Sequence, residues 1–256
     1  MKTDLSGKVA YVSGGAAGIG AAIAQIFAEH GARVAIGDVQ VERGEATAAQ
    51  IRDRGGKAIF IRHDAAEEAQ WIATLERAIG EFGGLDIVVN NAAILVPGTI
   101  ESIQPRHIDL IWQVDLRGPI LLMRDAIPHL RAAGGGHIIN VSSVAGVFPG
   151  PGPYKEPRKG GAFYGMIKAG LERLTQGLAM ELQDDKISVN VLSPQGRIKT
   201  PGNLFAQNDP ENPNLDFEPA TAMARGARWI CEQPPTVTGN IWFDEDLCRE
   251  KGISLG

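Results

Sequence analysis

Short apolar runs alternate with longer amphipathic stretches along most of the chain. The apolar runs are rich in valine and isoleucine, and they predict seven buried strands, at residues 9–14, 32–38, 57–64, 85–93, 136–143, 186–194 and 236–243. Helical periodicity between them predicts helices over 18–30, 41–55, 67–82, 106–132 and 162–183. Continuous apolar strands separated by helices are typical of a parallel sheet covered on both faces.

Two segments rich in proline and glycine, 148–161 and 199–219, interrupt this alternation. Each follows the end of a predicted strand, which is where open α/β sheets bind ligands. The sequence shows neither an internal repeat nor an interdomain linker, so residues 1–256 are expected to form a single domain.

Composition narrows the possible functions. With 44% hydrophobic and 21% charged residues, the chain has the profile of a soluble protein with a sizeable core, and its net charge of −5 argues against nucleic-acid binding. No apolar run is long enough for a membrane span, and no long apolar leader precedes the first strand. Cys231 and Cys248 lack metal-ligand spacing, so we expect no metal site, no disulfide framework and a reducing, cytoplasmic location.

The first strand–helix junction reads SGGAAGIG and contains Gly14, Gly18 and Gly20. Glycine allows a sharp turn and lets backbone N–H groups approach a pyrophosphate, whose charge the helix N-terminus favours. The spacing G-x-x-x-G-x-G differs from the general G-x-G-x-x-G fingerprint. The prediction of a pyrophosphate-binding turn therefore rests on its position between the first strand and the first helix.

Acidic residues end the next two predicted strands. Asp38 could accept hydrogen bonds from both hydroxyls of an adenosine ribose and would repel a 2′-phosphate; the alternative is a cap on the helix over 41–55. Asp64 is a candidate for the adenine amino group, and an N-cap of the following helix is an equally good interpretation.

Tyr164 and Lys168 lie one turn apart on the helix predicted over 162–183, so their side chains share a face. Such a pair could move protons, although this spacing also occurs often by chance.

Several motifs in order resemble the short-chain dehydrogenase/reductase family. They are SGGAAGIG, NNAA (90–93, with Ala93 where the family has glycine), INVSS (139–143), YGMIK (164–168) and SVNVLSP followed by TP (188–201). The resemblance covers residues 5–245. It implies a single-domain Rossmann-like fold, a doubly wound parallel sheet with strand order 3-2-1-4-5-6-7.

The resemblance also implies roles for individual residues. Tyr164 would be the general acid/base, Lys168 would bind the nicotinamide ribose and lower the tyrosine pKa, and Ser143 would bond the substrate oxygen. The remaining implied cofactor contacts are Gly14, Gly18, Ile19 and Gly20 at the pyrophosphate, Asn90 on the adenosine side and Ile198 near the carboxamide. For Ser142 we expect only a strand-end hydroxyl bonded to nearby backbone.

The implied chemistry is consistent with these residue types. A free phenol titrates near ~10, and both a neighbouring ammonium and an oxidised nicotinamide would favour the phenolate. The tyrosine could then accept the proton of an alcohol, while a serine hydroxyl bonds the oxygen on which charge develops.

The chain departs from the family at Asp115, in VDLRGP, where relatives carry a catalytic asparagine. The family residue acts partly through its carbonyl, which holds a water in a proton relay. Pro119 has no N–H to donate to the carbonyl of residue 115, so we expect that carbonyl to remain free for water. The carboxylate would then alter mainly the pH dependence; in the alternative, it faces elsewhere and has no catalytic role.

The interval between Ser143 and Tyr164 is longer than is usual in the family, and we expect it to form a flap beside the substrate cleft. Lys155, Arg158 and Lys159 could meet an anionic substrate there, although a solvated loop is the simpler interpretation. PQGRIKTP is one residue longer than the family spacing, which makes Ile198 and Thr200 less certain contacts.

Together these features predict an NAD-dependent oxidoreductase that transfers a hydride between the cofactor and a secondary alcohol or ketone. A homotetramer or dimer is the family expectation. The alternatives are a dinucleotide-binding protein with little turnover, because of Asp115, and an isomerase or dehydratase, which the short region after the sixth strand disfavours. The sequence leaves substrate, direction and stereochemistry open.

Overall fold

The computed structural model describes residues 4–155, 160–200, 202–203 and 217–255. Seven parallel strands form one sheet in the order β3-β2-β1-β4-β5-β6-β7, which confirms the predicted topology. The strands are β1 Val9–Ser13, β2 Arg33–Asp38, β3 Lys57–Arg62, β4 Ile87–Asn90, β5 Gly136–Val141, β6 Ile187–Ser193 and β7 Ile241–Phe243.

Helices cover both faces of the sheet. Their bounds are α1 Gly18–Glu29, α2 Val41–Asp53, α3 Glu68–Phe82, α4 Pro105–Trp112, α5 Gly118–Ala132, α6 Ala162–Glu181, α7 Thr221–Cys231 and α8 Asp244–Lys251. Alternate strand residues enter opposite cores: Val12 and Ile36 pack in one, and Tyr11 and Ala35 in the other. The first core includes α1, α2, α7 and α8, and the second includes α3 and α5.

The helix predicted over 106–132 is interrupted. Between α4 and α5, residues Gln113–Arg117 form a π-helical turn in which the N–H of Gly118 bonds the carbonyl of Gln113. Pro119 supplies a physical reason, because it cannot donate to the carbonyl of Asp115 and an unbroken α-helical ladder is therefore impossible.

The carboxyl-terminal region also differs from the prediction. Strand β7 comprises only residues 241–243 of the predicted 236–243, and α7 and α8 were not expected. Helix α8 has a low apolar content but begins with three acidic residues, which suit a helix N-terminus. Most of the irregular segment 199–219 lies outside the described residues.

The strand topology gathers the predicted site residues at one edge of the sheet. Strands β1 to β6 run parallel, so the segments after their carboxyl ends all emerge there. These segments are the glycine turn after β1, the acids at the ends of β2 and β3, NNAA at β4 and the serines after β5.

Candidate active site

The glycine turn has a geometry that side chains would obstruct. Gly14 and Gly18 have φ values of +62° and +58°, in the left-handed region. A methyl group on Gly18 would lie 2.8 Å from Cγ2 of Thr200, and one on Gly20 would collide with the carbonyl oxygen of Gly14. The turn therefore forms a backbone cradle free of large side chains at the N-terminus of α1, which fits a pyrophosphate.

Asn91 fixes this cradle to the end of β4. Its Nδ2 donates to the carbonyls of Ser13, at 3.0 Å, and Gly14, at 2.9 Å. The hydroxyl of Ser13 in turn accepts the N–H of Asn91 at 3.0 Å. Sequence reasoning missed both residues, although the second asparagine of NNAA was a visible signal.

Asp38 holds the opposite wall of the cradle. Its Oδ2 accepts the N–H of Ala16 at 3.0 Å, and its Oδ1 accepts the N–H of Gln40 at 3.0 Å. The N-cap of α2 is Gln40, so Asp38 is not that helix's cap residue. Its carboxylate lies beside the glycine turn and keeps further lone pairs for a ribose hydroxyl.

Asp64 and Asn90 have different surroundings. Oδ1 of Asp64 accepts the N–H of Ala66 at 3.0 Å, which forms an Asx turn, and the N-cap of α3 is Glu67. The side chain of Asn90 is buried and donates to Oδ1 of Asn140 at 2.7 Å. Its Oδ1 has no hydrogen-bond partner among the described residues, and the cofactor contact of Asn90 stays a prediction.

Ile198 and Thr200 lie on opposite sides of their segment. Ile198 is buried in the core that α1 and α7 share, while its carbonyl accepts a 2.8 Å bond from Nδ2 of Asn203. Thr200 contacts the glycine turn at Gly18. This segment therefore lies against the cradle, and the contact of Ile198 with a carboxamide stays a prediction.

Tyr164, Lys168 and Ser143 come together between α6 and the end of β5. Nζ of Lys168 lies 5.5 Å from the centre of the Tyr164 ring and 3.4 Å from the carbonyl of Val141. The hydroxyl of Ser143 faces the phenol of Tyr164 and acts to lower the pKa of that tyrosine. Oγ of Ser143 also accepts the N–H of Ala145 at 3.2 Å, so this serine has a local backbone contact as well.

Asp115 directs its side chain into this cluster. Its Oδ2 lies 3.2 Å from Nζ of Lys168, and both side chains are buried. Its Oδ1 accepts the N–H of Ile94 at 2.7 Å, which ties the π-helical turn to the segment after β4. The alternative in which this carboxylate faces elsewhere is wrong.

Burial and charge act in opposite directions on these groups. Burial raises the pKa of Tyr164 and exceeds the lowering by Lys168, while Asp115 raises it further. Burial alone would lower the pKa of Lys168, but Tyr164 and Asp115 raise it above its ordinary value. Lys168 thus acts on the tyrosine pKa in the expected direction, but desolvation outweighs it in the protein alone, and the lowered pKa expected with a bound nicotinamide stays a prediction.

Ser142 has a partner that the sequence did not indicate. Its hydroxyl donates to Oε1 of Glu172 at 2.7 Å, and both residues are buried. The expectation of a backbone partner for Ser142 was wrong, because the acceptor is a side chain of α6. In the sequence, the only sign of this contact was that Glu172 lies one helical turn after Lys168.

The segment 148–161 begins beside the catalytic cluster and ends against the loop after β4. Val144, Val147 and Phe148, here called the apolar lip, are 42%, 46% and 51% exposed. The N–H of Gly161 donates to the carbonyl of Gly98 at 3.3 Å. Lys155 is exposed, whereas Arg158 and Lys159 lie outside the described residues.

Two further findings concern the described residues only. Within residues 4–155, 160–200, 202–203 and 217–255, no helix combines the length and the apolar character needed to cross a bilayer. In the same part of the chain, no group of three or more histidine, cysteine or acidic side chains is arranged to hold a metal ion.

This fold and site define a nicotinamide-dependent oxidoreductase with a tyrosine–lysine–serine cluster. The family model of the short chain dehydrogenases matches residues 8–210, and the chain belongs to this family. The family resemblance inferred from the motifs is thus confirmed.

Three curated relatives are dehydrogenases. The chain is 38% identical to 2,5-dichloro-2,5-cyclohexadiene-1,4-diol dehydrogenase LinX from Sphingobium indicum, over the whole of both chains. It is 38% identical to 3-alpha-(or 20-beta)-hydroxysteroid dehydrogenase from Mycobacterium bovis, covering 78% of this chain and 73% of the relative. It is also 38% identical to trans-4-hydroxycyclohexanecarboxylate dehydrogenase from Sinomonas cyclohexanicum, covering 76% and 73%.

Solved structures of relatives contain both forms of the cofactor. A short chain dehydrogenase from Burkholderia cenocepacia in complex with NADP is 32% identical, with a TM-score of 0.81 and coverage of 93% of this chain and 96% of that one. A 3-ketoacyl-(acyl-carrier-protein) reductase from Brucella melitensis complexed with NADH is 31% identical, with a TM-score of 0.81 and coverage of 94% and 97%. The protein is therefore a secondary-alcohol oxidoreductase of the short-chain type.

Proposed function

We propose that this protein is an NAD-dependent dehydrogenase of cyclic secondary alcohols, with Tyr164 as its general acid/base. The observation that carries the proposal is the cluster in which Lys168 lies beside the ring of Tyr164, and Lys168 and Ser143 both act to lower the pKa of its phenol. In this arrangement the phenol proton of Tyr164 lies between the hydroxyl of Ser143, a second hydrogen-bond donor, and the positive charge of Lys168.

The choice of NAD rests on Asp38. A 2′-phosphate beside its carboxylate would meet like charge, and the residues that follow, Val39 and Gln40, supply no positive charge to offset it. The glycine cradle and Asp38 together fit an adenosine ribose with two free hydroxyls and a pyrophosphate.

The bound nicotinamide would supply the hydride acceptor, and the chain would control the proton. In alcohol oxidation, the phenolate of Tyr164 accepts the hydroxyl proton of the substrate while Ser143 donates a hydrogen bond to the same oxygen. Lys168 favours the phenolate through its charge, and the carboxylate of Asp115 keeps Lys168 protonated. In ketone reduction, Tyr164 returns the proton to the developing alkoxide.

The substrate class rests on the relatives and on the apolar lip. The names of all three relatives describe alcohols that contain a carbon ring. In this chain, the exposed side chains of Val144, Val147 and Phe148 come directly after Ser143. The turn that carries them packs on the first turn of α6. The packing is close, since a methyl group added to Gly165 would lie 2.7 Å from the carbonyl of Ala145. An apolar ring could lie against these side chains while its hydroxyl reaches Tyr164.

The experiment that tests the function is a cofactor-reduction assay with NAD over matched alcohols: cyclohexanols, a hydroxysteroid, a cyclic diol and straight-chain secondary alcohols. We expect turnover of cyclic substrates, and Tyr164→Phe should lower kcat by ~10²–10⁴-fold while still binding NAD, because the phenol oxygen transfers the proton. Binding of NAD without turnover of any alcohol or ketone would favour the dinucleotide-binding alternative.

Assembly and location complete the proposal. Family resemblance leads us to propose a homotetramer or dimer in the cytoplasm, and exposed apolar residues on the helices, such as Trp112 and Met180, supply surface for a partner copy. Light scattering that showed a stable monomer would contradict the assembly.

A further inference from the structure

Glu172 is a buried carboxylate two turns after Tyr164 on α6, and the mechanism above does not use it. Its residue surface is 5% exposed. Tyr164, Lys168 and Glu172 follow one another at intervals of one turn, so they line one face of the helix. A charge buried this deeply is retained only where it has partners.

The partners of Glu172 lie on both sides of Ser143. On the strand side, Oε1 accepts the hydroxyl of Ser142 at 2.7 Å. On the turn side, the backbone of Gly146 lies so close that a methyl group there would be 2.5 Å from the same Oε1. The N–H of Gly146 donates to the carbonyl of Ser143 at 2.9 Å, so the turn closes directly around the catalytic serine.

We propose that Glu172 is a positioning residue that anchors Ser142 and the turn at Gly146 to α6, and thereby aims the hydroxyl of Ser143 at Tyr164. Ser143 follows the strand and cannot be placed by the sheet ladder alone. The carboxylate supplies the missing constraint, because Tyr164 and Glu172 share one rigid helix. The distance between the phenol and the serine is then set by an anchor on each side of the serine.

The kinetic part of this inference rests on the proposed function, so the test has one arm that needs no turnover. Hydrogen exchange of the peptide covering residues 142–148 reports directly on the anchored turn. Ser142→Ala and Glu172→Ala should each raise exchange in this peptide, whereas Glu181→Ala, which removes an exposed carboxylate from the same helix, should not.

In the kinetic arm, Ser142→Ala and Glu172→Ala should each lower kcat by ~10–100-fold with little change in the KM for NAD, since small misplacements of catalytic groups have effects of this size. The double variant should lose no more than Glu172→Ala alone, because Glu172→Ala already removes the contact that Ser142→Ala deletes. Glu172→Gln should recover much of the loss, since its amide oxygen can still accept from Ser142. If Glu172→Ala fails to fold, Ser142→Ala deletes only a hydroxyl and gives the same test.

Several outcomes would overturn the inference. Unchanged exchange in residues 142–148 would show that Glu172 does not anchor the turn, whether or not the enzyme is active. Additive losses in kcat, or a loss that appears only as lower thermal stability, would assign Glu172 a structural role alone. An inactive wild-type protein with the expected exchange pattern would refute the proposed function and leave the anchor supported.

Discussion

The carboxylate of Asp115 lies 3.2 Å from the ammonium of Lys168, in a buried ion pair beside Tyr164. An asparagine at this position could not balance the ammonium by charge. Burial raises the pKa of Asp115, but Lys168 and the N–H of Ile94 act against this rise and favour the ionised form. Asp115 and Lys168 thus form a buried acid–amine pair beside the proposed proton-transferring phenol of Tyr164.

Replacing Asp115 with asparagine should shift the pH profile more than it lowers the maximal rate. The carboxylate raises the pKa of Tyr164, so its removal should lower that pKa and move the onset of alcohol oxidation to lower pH. The new amide oxygen can still accept the N–H of Ile94. A kcat profile over pH for the wild type and the variant measures the shift.

Asp109→Asn is the matched control, since it makes the same chemical change at an exposed position on α4. If Asp115→Asn is as damaging as Tyr164→Phe, the side chain of Asp115 is indispensable, and an account based on its main-chain carbonyl is wrong.

Asp38 should determine the cofactor preference. The wild type is expected to use NAD with at least ~10-fold higher kcat/KM than NADP, since juxtaposed like charges cost several kcal/mol. Asp38→Asn should reduce this ratio while keeping an oxygen that can accept from Ala16. Asp53→Asn, an exposed change on α2, should leave the ratio unchanged, and equal efficiency of the wild type with both cofactors would refute the assignment.

Alanine at position 20 should disrupt the cradle. The added methyl group would collide with the carbonyl of Gly14 and lie 2.5 Å from Nδ2 of Asn91, so we expect weaker NAD binding and a loss of ~1–3 kcal/mol in unfolding free energy. Gly80→Ala on α3 is the control, because its methyl group would meet nothing within 4 Å and should stabilise by up to ~1 kcal/mol. Calorimetry of both variants, with and without NAD, would decide, and equal effects would contradict the steric argument.

His63, the buried histidine that directly follows β3, should make the stability of the protein sensitive to acid. Burial lowers the pKa of His63 from 6.5 to about 4, against a smaller opposing effect of Asp64. Between these values the unfolded chain binds the extra proton, so stability should fall as pH drops through this window. Between pH about 7 and pH about 5, the free energy of unfolding should fall more in the wild type than in His63→Gln. The extra loss in the wild type should be on the order of 1–2 kcal/mol. An equal decline in both proteins would exclude His63 as a cause.

Much of the fold followed from the sequence because each buried parallel strand carries its own apolar run. The strands and the site motifs at their ends were therefore predictable, as was the shared face of Tyr164 and Lys168, while the order of the strands came from the family resemblance. Contacts between distant segments were not: Ser142 meets Glu172, and Asn91 meets Gly14, only after the sheet is assembled. The direction of the Tyr164 pKa depended in the same way on burial, which residue spacing does not report.

The bond from the N–H of Gly161 to the carbonyl of Gly98 joins the end of segment 148–161 to the loop that follows β4. Position 160 is adjacent to the same carbonyl, since a methyl group there would lie 3.1 Å from it. Two segments that are far apart in the sequence thus contact each other in the folded protein. For enzyme engineering, these two segments should be exchanged together. A chimaera that received only one of them from a relative would lose the contact between them. Variants with altered substrate ranges should therefore be sought by exchanging both segments at once.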